Sequence, residues 1–220
     1  MIDENIEKEV RELLEKYRPS QLDEQLLSIC PFYKAQNDVS QAYSLIHDIA
    51  TSRILEKLQL RLSELSLMSE VSLGFGRVDG AVANRIALMK NGDLIAFIEV
   101  KTGRIKLLQP AIYTYLERVK TLIAELKTGE VLVVDFESAK RLVKEFIEHI
   151  KDKERLRMLG KKIPGKDCKY CIRNCEFRLK EGKNCNPLKH LPRVLDNVDV
   201  VVEKILKEVV KEIEESAGYE

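Results

Sequence analysis

The hydrophobic pattern predicts an α/β sandwich in which helices flank a mixed sheet. Three observations carry this. Apolar residues recur at helical spacing up to about residue 65, and from Ser69 the period becomes two. The segment LIAFIEVK, 94–101, is apolar almost throughout, as a central strand covered on both faces should be. After it, helix and strand patterns alternate, and hairpins replace the first crossovers.

In order, ENIEKEVRELLEKY (4–17) places Ile6, Val10, Leu13 and Leu14 on one helical face, and Pro19-Ser20 breaks it. A second helix runs from about Ser40 to Leu65, with Leu45, Ile49, Ile54, Leu58 and Leu62 at roughly 3.6-residue spacing. A strand then alternates from Val71 to Val82, and Ala83-Asn84 is read as a turn. RIALM (85–89) reads as a second strand, Asn91-Gly92 as a hairpin turn and LIAFIEVK as a third strand. LLQPAIYTYLERVKTLIAELKTG reads as one helix closed by Gly129, VLVVDF (131–136) as a fourth strand and 137–159 as a helix. After Pro192 a final helix sets Val194/Leu195, Val198, Val202, Ile205/Leu206, Val209 and Ile213 at heptad-like positions. The expected segments are a helical part over 1–45, a core over 46–160, a cysteine-rich part over 161–193 and a last helix over 194–220.

Of the 220 residues, 45% are hydrophobic, enough for an ordinary core. No apolar run approaches the length of a membrane span and the N-terminus is acidic, so the expectation is a soluble cytoplasmic protein with no membrane partner. The net charge of +1 conceals an asymmetry: residues 140–193 hold 17 Lys/Arg against 7 Asp/Glu, and the last 25 residues hold 3 Lys against 8 acids. A basic patch beside an acidic one suits a polyanion-binding face next to a protein-binding one, and equally two solvated surfaces.

The charges inside the strands are harder to place. In an extended chain Glu99 and Lys101 project to one side, and Asp79 lies near the end of the strand that opens the meander. Buried charges are costly unless paired or bound to a metal. Two carboxylates and the Val100 carbonyl make an all-oxygen donor set suited to Mg²⁺ or Mn²⁺. His47, on the preceding helix, adds an imidazole that favours Mn²⁺, and Gln109 and Tyr113 share a helical face just downstream. Taken singly, each has a bland reading: a surface histidine, an exposed E-x-K ladder, a chance Q-x3-Y.

In this order the residues resemble the RecB-like branch of the PD-(D/E)xK nucleases: His47 upstream, "GRVDG" (76–80), "IEVKTG" (98–103) and "QPAIY" (109–113). Glu70 stands where that branch often carries an acidic residue. The resemblance implies a restriction-endonuclease-like (RecB-type) fold over 46–160. It implies metal ligation by His47, Asp79, Glu99 and the Val100 carbonyl, with Lys101 as the catalytic lysine and Gln109 and Tyr113 orienting the lysine side and the DNA backbone.

Cys168, Cys171, Cys175 and Cys185 cluster late in the chain and Cys30 stands alone in "SICPFY". Spacing alone favours Zn²⁺ on the four late cysteines. The subset of RecB-like nucleases that includes the CRISPR-associated Cas-four proteins instead has one Cys-Pro before the nuclease motifs and three cysteines after them. That likeness implies an iron–sulfur cluster, usually 4Fe–4S with 2Fe–2S the alternative, on Cys30, Cys168, Cys171 and Cys175, with Cys185 the rival fourth ligand. The usual final spacing is C-x2-C-x5-C, whereas here it is C-x2-C-x3-C.

The function so implied is a Mg²⁺- or Mn²⁺-dependent single-stranded DNA exonuclease, 5′ to 3′ with some endonuclease activity, acting in CRISPR spacer acquisition. Its implied partners are single-stranded DNA, CRISPR integration proteins and copies of itself. The competing reading is an inactive zinc- or cluster-stabilised DNA-binding scaffold in a recombination or integration complex.

Overall fold

The computed structural model describes residues 4–25, 28, 30–34, 41–84, 94–103, 105–165, 168, 171, 173, 175–177 and 191–217. The elements are α1 (Glu4–Lys16), α2 (Pro19–Gln25), α3 (Gln41–Arg61), β1 (Leu65–Ser72), β2 (Arg77–Asn84), β3 (Leu94–Lys101), α4 (Leu108–Glu117), β4 (Thr121–Glu125), β5 (Glu130–Val134), α5 (Phe136–Met158), α6 (Leu191–Asp196) and α7 (Val198–Ala217). The five strands form one sheet in chain order; β3 and β4 are parallel and every other pair is antiparallel. The expected mixed α/β architecture is present.

Alternation along the central strands assigns the two faces. Ala96, Ile98 and Val100 of β3, with Leu122 and Ala124 of β4, pack under Ile46, Ala50, Ile54 and Leu58 of α3 and Val201, Val202, Ile205 and Val209 of α7. Ile123 of β4 turns the other way, into a core with Leu108, Ala111, Ile112 and Tyr115 of α4 and Val143, Phe146, Ile147 and Ile150 of α5. Phe97, on that same side of β3, packs with Tyr113 of α4. Glu99 and Lys101 share the parity of Phe97, so the charged residues lie on the α4 side.

Several boundaries differ from the sequence reading. The first helix does break ahead of Pro19, ending at Lys16, but Pro19 is also the first residue of a second helix, α2, where its missing N–H costs nothing. The segment read as a single strand ending at Ala83-Asn84 is two. β1 begins at Leu65, the chain reverses through Leu73–Gly76 with Leu73 N–H donating to Gly76 O (2.8 Å), and β2 continues through Asn84. Gly74 supplies the positive φ of +75° that this turn needs. The expected RIALM strand and Asn91-Gly92 turn lie outside the described residues.

The long helix expected over 107–129 is a helix, a strand and a turn. α4 stops where Arg118 adopts a left-handed conformation and donates its N–H to Thr114 O. TLIAE then becomes β4, wedged between β3 and β5 with four of its five residues buried. Its β-branched residues fit a strand covered on both faces, and that burial outweighs the helical spacing of the letters. Gly129, at φ +77°, closes the β4–β5 hairpin.

The acidic last helix belongs to the core, with Ile205 fully buried against the sheet. Ile205→Ala should therefore cost about 2–5 kcal/mol of folding stability. Urea unfolding followed by circular dichroism measures this, and a loss below about 1 kcal/mol would mean that α7 is not a core helix.

Candidate functional site

The paired residues of β2 and β3 run from Ala83↔Leu94 to Gly80↔Ile98 and stop there. Beyond that point Val100 faces β2 with its polar main-chain atoms, because Phe97 and Lys101 direct theirs to the β4 side: Phe97 N–H donates to Lys120 O, and Lys101 O accepts from Leu126 N–H. The Asp79 carboxylate replaces the missing ladder partner, its Oδ2 accepting from Val100 N–H at 2.7 Å. His47 reaches in from α3. Its Nε2 lies 3.1 Å from Val100 O and 3.3 Å from Asp79 Oδ2. The hydrogen bond to Asp79 raises the His47 pKa above its ordinary value, against the opposing effect of burial.

Among His47, Asp79, Glu99 and Lys101, Glu99 is the most enclosed, its side chain only 4% exposed. Oε1 accepts from Lys101 Nζ at 2.6 Å, while Oε2 is buried without a hydrogen-bond partner. Burial pushes its pKa from the ordinary 4.5 up to about 7, the Lys101 charge holding it lower than burial alone would. Across the cleft Gln109 Nε2 donates to Tyr113 Oη (2.8 Å), and Tyr113 Oη donates to Arg77 O (3.0 Å). Burial, reinforced by the negative charges of Glu99 and Asp79, pushes the Tyr113 pKa up to about 12, so its hydroxyl stays a neutral donor.

His47, Asp79, Val100, Glu99 and Lys101 are thus brought together, with the Gln109–Tyr113 pair beside them. Glu70 is not among them; it is exposed at φ +52° and pairs with Arg77 (3.3 Å). A residue the sequence did not flag underlies the arrangement. Asp23 of α2, 2% exposed, accepts from the backbone N–H groups of Leu108 and Gln109, both at 3.1 Å, and so caps the helix that carries Gln109 and Tyr113. The only local sign was an Asp beside the apolar Leu22; its partners lie 85 and 86 residues away.

The cysteines form a second locus. Cys30, Cys168, Cys171 and Cys175 all line one cavity of about 150 Å³, together with Phe32, Ile163, Lys162 and Arg173. All four are free thiols, and Gly165 N–H points at Cys168 Sγ (3.3 Å). Arg157 of α5 donates to Pro31 O (2.9 Å), fixing the Cys-Pro turn. Burial pulls the pKa of nearby Lys153 down to about 8. Cys185 lies outside the described residues.

Among the described residues no three His, Cys, Asp or Glu side chains are gathered tightly enough to hold one ion, and no helix is long and apolar enough to cross a membrane. Comparison with protein-family models, with curated proteins and with solved structures found no match.

The state of Glu99 gives a pH signature. Its raised pKa means that the folded, metal-free chain favours the protonated carboxyl, a contribution to stability present below pH 4.5 and lost as pH rises through about 7. In chelator-treated protein, the unfolding free energy of the wild type minus that of Glu99→Gln should fall across that window and level off above it. Parallel urea titrations from pH 4.5 to 8.5 measure the difference, and a pH-independent gap would contradict the burial of this carboxyl.

Proposed function

We propose that the chain is a Mg²⁺- or Mn²⁺-dependent DNA nuclease of RecB-like type, acting on single strands, with an iron–sulfur cluster on its cysteines. The observation that carries this reading is the convergence of Asp79, Glu99, His47 and the Val100 carbonyl at the end of a broken β ladder, with Lys101 on Glu99. The donor set of carboxylates, a carbonyl and one imidazole suits a hard cation, and the unpartnered buried Oε2 of Glu99 is a ligand atom with nothing to bind in the protein alone. A bound divalent ion would supply Lewis acidity toward the scissile phosphate and a more acidic attacking water.

The chain's own groups do the rest. Asp79 and Glu99, with His47 and the Val100 carbonyl, would hold the cation, and Asp79 is itself fixed by Val100 N–H. Lys101 Nζ, held on Glu99 Oε1, would stand beside the phosphate of a strand bound at this site. There it donates to a phosphate oxygen and offsets the charge gained in the transition state. Gln109 and Tyr113 present a neutral amide and phenol for the DNA backbone.

The cavity brings Cys30 beside Cys168, Cys171 and Cys175, the set named by the cluster likeness rather than the late four that spacing alone gives to Zn²⁺. A cluster keeps its thiolates apart around an inorganic core, and the Lys162 and Arg173 lining suits its negative charge. A place in CRISPR spacer acquisition follows from the family likeness alone.

Two measurements test the reading. The wild type with Mn²⁺ should degrade 5′- and 3′-labelled single-stranded DNA, and Lys101→Ala should lower the rate by about 10²–10³-fold with the fold intact. Folded, metal-loaded wild type that binds the strand without cutting it would leave the scaffold reading in place. Anaerobically purified protein should be brown and carry iron and acid-labile sulfide. Cys30→Ser should lose both, and a colourless protein holding stoichiometric zinc would overturn the cluster assignment.

A further inference from the structure

Past Gln109 and Tyr113 the surface opens into a groove of about 530 Å³ whose walls include Arg18, Phe75 and Arg77. We propose that this groove is the seat of the single strand, with Arg18 and Arg77 on backbone phosphates and Phe75 stacked on an unpaired base. The inference rests on the nuclease reading and adds to it the strand's binding residues and the reason for preferring single strands.

Four observations support it. The Arg18 side chain is exposed and has no ion pair among the described residues. The Arg77 side chain is 66% exposed and its partner, Glu70, is 68% exposed at 3.3 Å, a water-screened pair that a phosphate can displace. Guanidinium groups match phosphate oxygens two at a time. Phe75 is half-buried, its ring 6.0 Å from that of Tyr113 and tilted by 38°, so it is held from behind while it lines the groove.

Two glycines keep the wall low. A Cβ at Gly76 would stand 2.8 Å from Tyr113 Oη, and one at Gly74 would meet nothing within 4 Å. The main chain therefore lies directly against the phenol on one side and is open on the other. Cationic contacts that follow the backbone, combined with an aromatic platform, are how single strands are held irrespective of sequence. A duplex keeps its bases stacked on each other and leaves such a platform idle. The groove runs on to Gln109 and Tyr113, whose hydroxyl donates to Arg77 O two residues before Asp79 on β2.

The test is fluorescence anisotropy with labelled oligothymidylate and with a blunt duplex, metal-free, over a range of salt, beside the Mn²⁺ cleavage assay. Arg18→Ala combined with Arg77→Ala changes only exposed side chains. It should weaken oligothymidylate binding at least tenfold and reduce the slope of log K against log salt by about 1.4, for two lost phosphates. Phe75→Leu should weaken oligothymidylate about tenfold and duplex several-fold less. Unchanged affinity and slope in the double variant, or a wild type that does not bind the strand, overturns the groove. In the first case Lys101-dependent cutting by the wild type leaves the nuclease reading standing. A wild type that loses strand affinity in these variants but never cuts overturns the nuclease reading and keeps the groove as a binding site.

Discussion

One hydrogen bond organises the centre of this protein: the 2.7 Å contact from Val100 N–H to Asp79 Oδ2. A strand that leaves its neighbour exposes a row of main-chain donors and acceptors, and a buried one left unanswered costs about 1–3 kcal/mol. Here side chains answer both groups of Val100, Asp79 for the N–H and His47 for the carbonyl. The residues that repair the sheet are also those that gather polar atoms at its broken end. Structure and chemistry at this point are therefore not separable, and Asp79 cannot be lost without opening the ladder further.

Glu99 carries the opposite tension. It lies between Phe97 and Lys101 on a strand that is otherwise core, with one oxygen on an ammonium and the other on nothing. Folding gains little from such a group, and burial opposes its charge. Sites that place a charge where the fold resists it are where functional side chains are expected. Asp23 does quieter work on the other wall. By accepting two N–H groups at the start of α4 it fixes the axis along which Gln109 and Tyr113 are spaced.

How much of this the letters carry depends on the range of the interaction concerned. The two-residue period of LIAFIEVK fixed which side Glu99 and Lys101 would take, because alternation is a local property of extended chain. The α4 side chains Gln109 and Tyr113 were legible for the same reason, through the four-residue spacing. TLIAE was misread because its neighbours β3 and β5, not its own pattern, make it a strand. The Leu73–Gly76 reversal was hidden inside an alternating run whose glycines looked like ordinary small residues. Asp23 offered no motif at all, since its role exists only once α2 has docked on α4. The gathering of Cys30 with Cys168, Cys171 and Cys175 stood in the sequence only as a choice between two sets of four.

That gathering has a consequence for how the protein is made. The wall holding Cys30 is synthesised first, and the wall holding Cys168, Cys171 and Cys175 follows at least 138 residues later. At ordinary ribosomal speeds of about 5–20 residues per second the interval is on the order of ten seconds. Through that time the five strands and α5 are made, while the Cys30 thiol has no opposite wall to enclose it. The cavity can thus close only late in synthesis, once its second wall has been made. Whatever the Cys30 thiol meets in that interval, it meets before the three thiols that face it exist.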